Sequence, residues 1–230
     1  MFNNCIRNVQ DWLLPPECLL CGARLHGRAH FCPGCTADLP RLTAACPGCA
    51  LPGPGARLCG RCQRRRPRFD AALAAFSYDT PIDRLIIGLK FHGRLMHARA
   101  LGGLLAERLA APDAVRPDRL VPIPLHPRRL RSRGYNQALE LARPVARRLK
   151  LPIDHRCLTR VRATPPQTGL DAAGRARNMR GAFAARGDLG GSHIALIDDV
   201  MTSGHTADAA AAALKRAGAA FVEVWVVARA

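Results

Sequence analysis

Aromatic and acidic residues are both scarce in this 230-residue sequence. Phe, Trp and Tyr together make up 5% of the chain. Phe31 and Phe69 are the aromatic residues of the cysteine-rich stretch described below, and so few rings argue against a base-stacking platform there. Asp and Glu number 17 against 35 Lys and Arg, which gives a formal net charge of +18. This imbalance favours polyanionic partners: phosphates, a pyrophosphate or a nucleic-acid backbone.

Long hydrophobic runs and the common nucleotide-binding motifs are also absent. No apolar run approaches the ~18 residues that a membrane-spanning helix needs, so we expect no membrane insertion. Residues 1–16 lack the continuous apolar segment of a secretory signal peptide, which leads us to expect a cytoplasmic protein. Neither Gly-x4-Gly-Lys nor Gly-x-Gly-x-x-Gly occurs, which excludes nucleotide sites of those two kinds.

The positive charge is concentrated in two blocks. Residues 1–68 carry ten basic and three acidic side chains, and residues 126–180 carry fourteen basic and three acidic ones. The remaining residues are balanced. A GC-rich genome would account for the preference for Arg over Lys, but not for this clustering. Each block is therefore a candidate surface for phosphate groups, although a solvated linker face explains the arginines of residues 61–68 equally well.

Eight of the ten cysteines form four Cys-x-x-Cys pairs. Two intervening residues let both thiolates of a pair face one metal ion, and two pairs complete a tetrahedral four-cysteine zinc site. A disulfide framework would require an oxidising compartment, and a catalytic dithiol would be a single pair near a βαβ unit. The sequence therefore predicts one or two structural zinc sites, with sequential or interleaved pairing, from Cys18, Cys21, Cys32, Cys35, Cys46, Cys49, Cys59 and Cys62.

The pattern changes to alternating strands and helices after Pro67. We predict strands at 71–78, 120–124, 194–197 and 220–228. We predict one helix from residue 82 that ends within residues 90–94, and further helices at 95–111, from 134 to about 150 and from about 205 to 216. This alternation implies a Rossmann-like parallel sheet. The predicted organisation is an N-terminal segment with a small zinc-ribbon module at residues 1–68 and an α/β domain at residues 69–230.

The clearest candidate site follows the apolar strand Ile194–Ile197, which Asp198 and Asp199 close. The next residues offer hydroxyl groups, a flexible turn and the free N–H groups of a helix N-terminus; they are Thr202, Ser203, Gly204, His205 and Thr206. Such a helix end suits a phosphate monoester, and the two carboxylates suit neutral hydroxyl groups or a divalent cation. Ordinary helix capping by Thr202 or Ser203 is the alternative, but capping does not explain two adjacent acids.

An apolar run, two acids and a Thr/Ser-Gly-x-Thr turn together resemble the phosphoribosyl-pyrophosphate (PRPP) loop of type I phosphoribosyltransferases. The resemblance implies the type I phosphoribosyltransferase fold for the α/β domain. It also implies that Asp198 and Asp199 are catalytic residues that hold the ribose hydroxyls, and that residues 202–206 hold the 5′-phosphate. Magnesium would then bind together with the pyrophosphate of PRPP.

A second motif narrows the resemblance. Pro122-Ile-Pro-Leu125, followed by Arg-Arg-x-Arg-x-Arg-Gly-Tyr-Asn-Gln at 128–137, is similar to the ComF family (competence protein F), which is linked to DNA uptake in natural transformation. The N-terminal cysteine pairs fit that family as well. By this resemblance, Arg128 and Arg129 lie in a basic loop on the pyrophosphate side of PRPP. Residues 160–180 resemble a flexible loop that closes over such sites.

These features lead to two main functional hypotheses. The first is a competence-type protein that handles incoming single-stranded DNA and carries a PRPP- and magnesium-binding site; the family link and the two basic blocks favour it. The alternative is a phosphoribosyltransferase acting on an unidentified acceptor in nucleotide metabolism, for which no acceptor pocket is recognisable. A third, weaker hypothesis is a scaffold whose zinc ribbons contact a DNA-uptake helicase or a recombination protein.

Overall fold

The computed structural model describes residues 16–27, 29–53, 55, 57–110, 116–162, 179 and 181–230. Contacts between residues divide the chain into two units, Met1–Pro40 and Arg41–Ala230. The helices, in chain order, are α1 (Pro33–Ala37), α2 (Gly60–Arg64), α3 (Ile82–Phe91), α4 (Leu95–Leu109), α5 (Pro127–Arg133), α6 (Gln137–Leu149) and α7 (His205–Arg216). Among these described helices, none combines the length and apolar composition that a membrane crossing needs.

The first unit buries few apolar side chains among its described residues. Glu17 and Arg24 form an antiparallel bridge that brings its first cysteine pair into a turn. Helix α1 begins after Cys32, whose side chain accepts a hydrogen bond from the Cys35 N–H, and Pro33 occupies the first turn, where a missing N–H costs nothing. The buried apolar side chains of the first unit include Leu25, Phe31 and Leu39.

The second unit is built on a parallel sheet. The strands are β1 (Ala71–Ser77), β2 (Arg119–Pro122), β3 (Leu158–Arg160), β4 (Phe183–Ala185), β5 (His193–Met201) and β6 (Phe221–Arg229). Four of them form a sheet in the order β1-β6-β5-β2 with all neighbours parallel, and β3 and β4 form a separate antiparallel pair. The Rossmann-like parallel sheet predicted from the sequence is confirmed.

Helices cover both faces of this sheet. Ile194 and Leu196 of β5 pack in one core with Ala210 and Leu214 of α7, whereas the alternation of a strand directs Ala195 and Ile197 to the other face. On that face α6 contacts β2 and β5, and α4 contacts β1 and β6. Strand β5 is consequently apolar on both sides, as a central parallel strand requires.

The second group of cysteines lies in this unit and is bonded to the sheet. Leu42 donates to the carbonyl of Ala75 at 3.0 Å, and Ala72 donates to the carbonyl of Pro47 at 3.0 Å. The contacts between residues therefore divide the chain after Pro40, whereas the sequence changes from cysteine-rich to alternating strands and helices near Pro67. The domain boundary between residues 68 and 69 stays a prediction.

Two local predictions differ from the structure. Strand β5 does not end before Asp198 but continues to Met201, because β6 continues to pair with it as far as Met201 and Arg229. The basic stretch after β2, expected as a loop, is helix α5. His126 caps that helix by accepting from the Arg128 N–H, Pro127 occupies its first turn, and Gly134 ends it with a φ of 83°.

Candidate functional site

The predicted phosphate loop lies at the carboxyl end of β5, between that strand and α7. Gly204 precedes α7 with a φ of 80°, a left-handed conformation that other residues adopt only at a cost. No side chain of the described residues caps the helix, so its first N–H groups have no such partner there. A small pocket opens here, lined by Asp198, Val200, Met201, Thr202, Ser203, Gly204, His205, Thr206, Ala207, Val224 and Val226. All five predicted phosphate-loop residues thus lie together beside a helix N-terminus.

Among the residues that line this pocket, Asp198 is the one with a carboxylate. Its Oδ1 accepts the Asp199 N–H at 2.9 Å. Burial, followed by the neighbouring charge of Asp199, raises the pKa of Asp198 to about 7, although Lys90 and the Asp199 N–H oppose this rise. A carboxyl group at this position can therefore change its protonation state near neutral pH.

Asp199 lies on the opposite face of β5, because successive side chains of a strand alternate. It is 3% exposed, and its Oδ1 forms a 2.9 Å ion pair with Lys90 at the end of α3. The second oxygen, Oδ2, is buried and has no hydrogen-bond partner among the described residues. The structure therefore brings Lys90 into the site, and separates the two acids that the sequence places side by side.

Arg128 and Arg129, predicted on the pyrophosphate side, are exposed on α5. Parallel pairing of β2 with β5 sets Pro122 opposite Ile197, so the chain leaves β2 at the edge of the sheet where Asp198 lies. Neither arginine makes a side-chain hydrogen bond to the loop within the described residues. Their contact with a pyrophosphate stays a prediction. Most of the predicted closing loop, residues 163–178, lies outside the described residues.

A basic surface with an exposed ring lies beside this edge. Arg128, Arg129 and Arg131 of α5 are exposed, and Phe91 at the end of α3 is 70% exposed. The guanidinium carbon of Arg133 lies 5.7 Å from the centre of the Phe91 ring, within the range of a cation–π contact. Phe31 and Phe69 of the cysteine-rich stretch are instead buried, so neither ring offers a free face to a base.

The eight cysteines form two groups in sequential pairing. The ligand atoms of each group lie within 4.8 Å of one another; the groups are Cys18, Cys21, Cys32 and Cys35, and Cys46, Cys49, Cys59 and Cys62. Zn–S bonds of about 2.3 Å in a tetrahedron place sulfurs about 3.8 Å apart. The Sγ atoms of Cys21 and Cys32 are 3.8 Å apart, and those of Cys49 and Cys59 are 3.6 Å apart. Both groups therefore fit a zinc ion.

Backbone donors favour the thiolate form that zinc needs. Cys46 Sγ accepts the Cys59 N–H at 3.2 Å, and Cys18 Sγ accepts the Cys32 N–H at 3.4 Å. The N–H of Cys62 lowers the pKa of Cys59 to about 6, against the effect of burial, whereas burial raises the pKa of Cys49 and of Cys62. Two sites for structural zinc are therefore supported by composition, geometry and hydrogen bonding.

Two arginines that sequence reasoning did not assign to the site contact the loop. Arg61 of α2 donates to the carbonyl of Ser203 at 3.0 Å. Arg229 at the end of β6 is 3% exposed and donates to the carbonyls of Met201 and Cys49 at 2.8 and 3.0 Å. These contacts join residues 28 to 180 positions apart, and no local motif marks them.

Family comparisons agree with both parts of the chain. Residues 9–63 match a double zinc ribbon domain, and residues 136–230 match a phosphoribosyl transferase domain. Among solved structures, glutamine PRPP amidotransferase from B. subtilis, complexed with ADP and GMP, aligns with a TM-score of 0.38 and 23% identity, over 56% of this chain and 25% of that one.

Similar proteins match over nearly the full length. DNA utilization protein YhgH of Salmonella typhimurium is 36% identical over 223 residues, covering 94% of this chain and 98% of the relative. Competence protein F of Haemophilus influenzae is 32% identical over 228 residues, covering 93% and 97%. The chain therefore belongs to the ComF family, and it carries both a double zinc ribbon and a phosphoribosyltransferase domain.

Proposed function

We propose that this protein binds PRPP with magnesium in the pocket between β5 and α7, and that it handles single-stranded DNA during uptake. The binding of PRPP is supported above all by one observation: Asp198 and residues 202–206 line one pocket at the N-terminus of α7, which no described side chain caps. The free N–H groups and the hydroxyls of Thr202, Ser203 and Thr206 suit the 5′-phosphate. Cysteines that bind zinc rather than pair as disulfides fit a reducing compartment, so the proposed location is the cytoplasm.

The two acids have different parts in this proposal. Asp198 lines the pocket and accepts hydrogen bonds from the ribose hydroxyls. Asp199 lies on the opposite face of β5, where its ion pair with Lys90 fixes it, so it contributes to the charge and shape of the strand end and does not line the pocket. Magnesium would be held by the pyrophosphate and would offset its charge. No step of this account requires turnover.

Ligand-induced stabilisation tests the site. We expect PRPP with magnesium to raise the melting temperature, because a ligand that binds the folded state stabilises it by mass action, by about 2.7 kcal/mol at 100 times Kd. Asp198→Ala combined with Asp199→Ala should abolish the rise, measured by differential scanning fluorimetry. If PRPP with magnesium raised the melting temperature of the double variant as much as that of the wild type, neither acid would contribute to ligand binding. Asp83→Ala, at a half-buried acid in the first turn of α3, is the control away from the pocket.

The DNA half is supported by the family and by the surface around α5. Its exposed arginines offer charge to phosphates, and Phe91 offers a ring face on which a base can stack. The affinity for a labelled single-stranded oligonucleotide, measured by fluorescence anisotropy across a salt series, tests this half.

Phosphoribosyl transfer to an acceptor is the alternative, and it uses the same pocket. Departure of pyrophosphate would leave an oxocarbenium-like ribose next to Asp198. Incubation of PRPP with candidate bases, followed by chromatography of the products, separates the two functions: a new nucleotide product supports a transferase, whereas unchanged PRPP supports a binding role.

A further inference from the structure

The second cysteine group and the phosphate loop belong to the same unit and are directly bonded. Arg61 lies between the ligand positions Cys59 and Cys62, and its Nη2 donates to the carbonyl of Ser203 at 3.0 Å. The same atom lies 3.6 Å from the place that a Cβ on Gly204 would take. One residue of the ribbon therefore contacts two consecutive residues of the loop.

A buried arginine makes a second connection. Arg229 reaches the ribbon through the carbonyl of Cys49 and the loop through the carbonyls of Met201 and Thr202. A third connection joins Arg68, just beyond the ribbon, to Asp208 in the first turn of α7: the Arg68 N–H donates to Asp208 Oδ1 at 2.7 Å. The ribbon thus bonds to the strand end, the loop and the helix that together form the pocket.

Leu42 and Ala50 anchor this ribbon to the core of the unit, but the four cysteines depend on a metal ion to hold them together. The ribbon's own buried cluster consists of Cys46, Cys49 and Cys62, with Leu58 and Cys59 packed against it. Small modules of this kind fold when zinc binds and lose their structure when it is removed. Loss of zinc would therefore free Arg61 and displace the Cys49 carbonyl, which are the groups that connect the ribbon to the loop.

We propose that zinc at Cys46, Cys49, Cys59 and Cys62 positions the phosphate loop through Arg61 and Arg229, so that zinc and the phosphate ligand bind cooperatively. Arg61 and Arg229 are positioning residues in this proposal, since their observed contacts are with the loop backbone. Because coupling between two sites is reciprocal, the ligand must also retain zinc at this second group. The ligand part of this inference rests on the proposed PRPP site, whereas the positioning of the loop does not.

The reciprocal effect can be measured in the full, unmodified chain. A zinc-selective chelator is added with a thiol-alkylating reagent, and peptide mass spectrometry follows alkylation of each cysteine with and without PRPP and magnesium. We expect the ligand to slow alkylation of the second group by about fivefold or more and to leave the first group, Cys18 to Cys35, unchanged. Equal protection of both groups, or protection of neither in a protein that PRPP stabilises, would overturn the coupling.

A pair of arginine variants tests the connection itself. Arg61→Ala should weaken PRPP binding, measured by calorimetry, by about threefold to tenfold, as expected for the loss of one hydrogen bond. Arg64→Ala removes the same charge from an exposed position on the same helix and should leave the affinity within twofold. Equal losses in both variants would show a general charge effect and reject the positioning role.

Hydrogen exchange separates this inference from the ligand proposal. Without any ligand, the amide of Asp208, which donates to the Gly204 carbonyl at 2.9 Å, and the amides of the following turn of α7 should exchange faster in Arg61→Ala and after zinc removal, while those of α6 keep their protection. This result stands even if PRPP does not bind. Unchanged exchange at the start of α7 in both conditions would refute the positioning of the loop, whatever the ligand.

Discussion

Asp198 is the residue of the pocket whose charge the fold disfavours. Its pKa is raised to about 7 by burial and by Asp199, whereas an unfolded Asp has a pKa near 3.9. The folded state therefore binds this proton more tightly than the unfolded state does. Stability contributed by the protonated form is present below about pH 4, decreases as pH rises, and is lost above about pH 7.

Asp198→Asn should remove this pH dependence, because the amide keeps an acceptor for the Asp199 N–H and carries no charge. Between pH 5.5 and 7.5, we expect the unfolding free energy of the wild type to fall relative to the variant by roughly 1–2 kcal/mol. Urea unfolding at several pH values measures the difference in unfolding free energy between the two proteins. In that difference, the titration of groups that do not interact with Asp198 cancels. A constant difference across this range would show that Asp198 titrates as an ordinary surface acid.

The residues of the site were only partly predictable. Residues 198–206 are consecutive, so one motif was enough to predict that the phosphate loop lies next to two acids. The direction of each acid was not predictable, because it depends on β5 continuing to Met201, and the continued pairing with β6 decides that. Arg229 and Arg61 reach the loop at Thr202 and Ser203, across 27 and 142 positions. Such long-range contacts leave no periodic or local pattern in the sequence.

At the scale of elements, the packing of α4 on α6 depends on one glycine. A Cβ on Gly102 would lie 2.3 Å from Pro144 Cγ and 2.7 Å from the Leu141 carbonyl oxygen. Both neighbours belong to α6, and neither a proline ring nor a helix carbonyl can move freely. The helices approach so closely that only a residue without a side chain fits between them.

Gly102→Ala should therefore destabilise the protein by about 1–3 kcal/mol, the usual cost of overpacking. Gly103→Ala is the matched control: nothing lies within 4 Å of a Cβ there, and alanine in a helix interior stabilises by about 0.5–1 kcal/mol. Chemical denaturation of both variants checks the contrast. Similar changes in the two variants would mean that α4 and α6 are packed less closely than the structure has them.

The elements themselves were largely predictable from periodicity and turn residues. Helix α7 has the bounds that the sequence predicts, and β6 is displaced by one residue at each end. Helix α5 was missed because six of its seven residues are Arg, Ser or Pro, which give no apolar periodicity. The helix starts instead where the His126 side chain accepts a hydrogen bond from the Arg128 N–H. Such a cap is a weaker signal in the sequence than the periodic pattern of a buried helix face.

At the scale of the whole molecule, a net charge of +18 attracts any polyanion, so DNA binding alone does not identify a binding surface. The distribution of charge decides between a general attraction and a defined interface. Residues 126–180 hold the larger basic block, and within it α5 presents exposed arginines and places Arg133 over the Phe91 ring. Helix α6 also presents exposed arginines, Arg147 and Arg148, but has no exposed aromatic partner in the described contacts.

Two double variants with identical net charge distinguish these cases. We expect Arg128→Gln with Arg131→Gln to weaken binding of single-stranded DNA and to reduce the slope of log K against log salt by about 1.4, the value for two lost phosphate contacts on a single strand. Arg147→Gln with Arg148→Gln should change the slope by less than half as much. Fluorescence anisotropy of a labelled oligonucleotide across a salt series provides both slopes. Equal slopes in the two variants would mean that net charge, and not the surface around α5, attracts DNA. Because contacts with phosphates release counterions, binding that does not vary with salt would reject the DNA role itself.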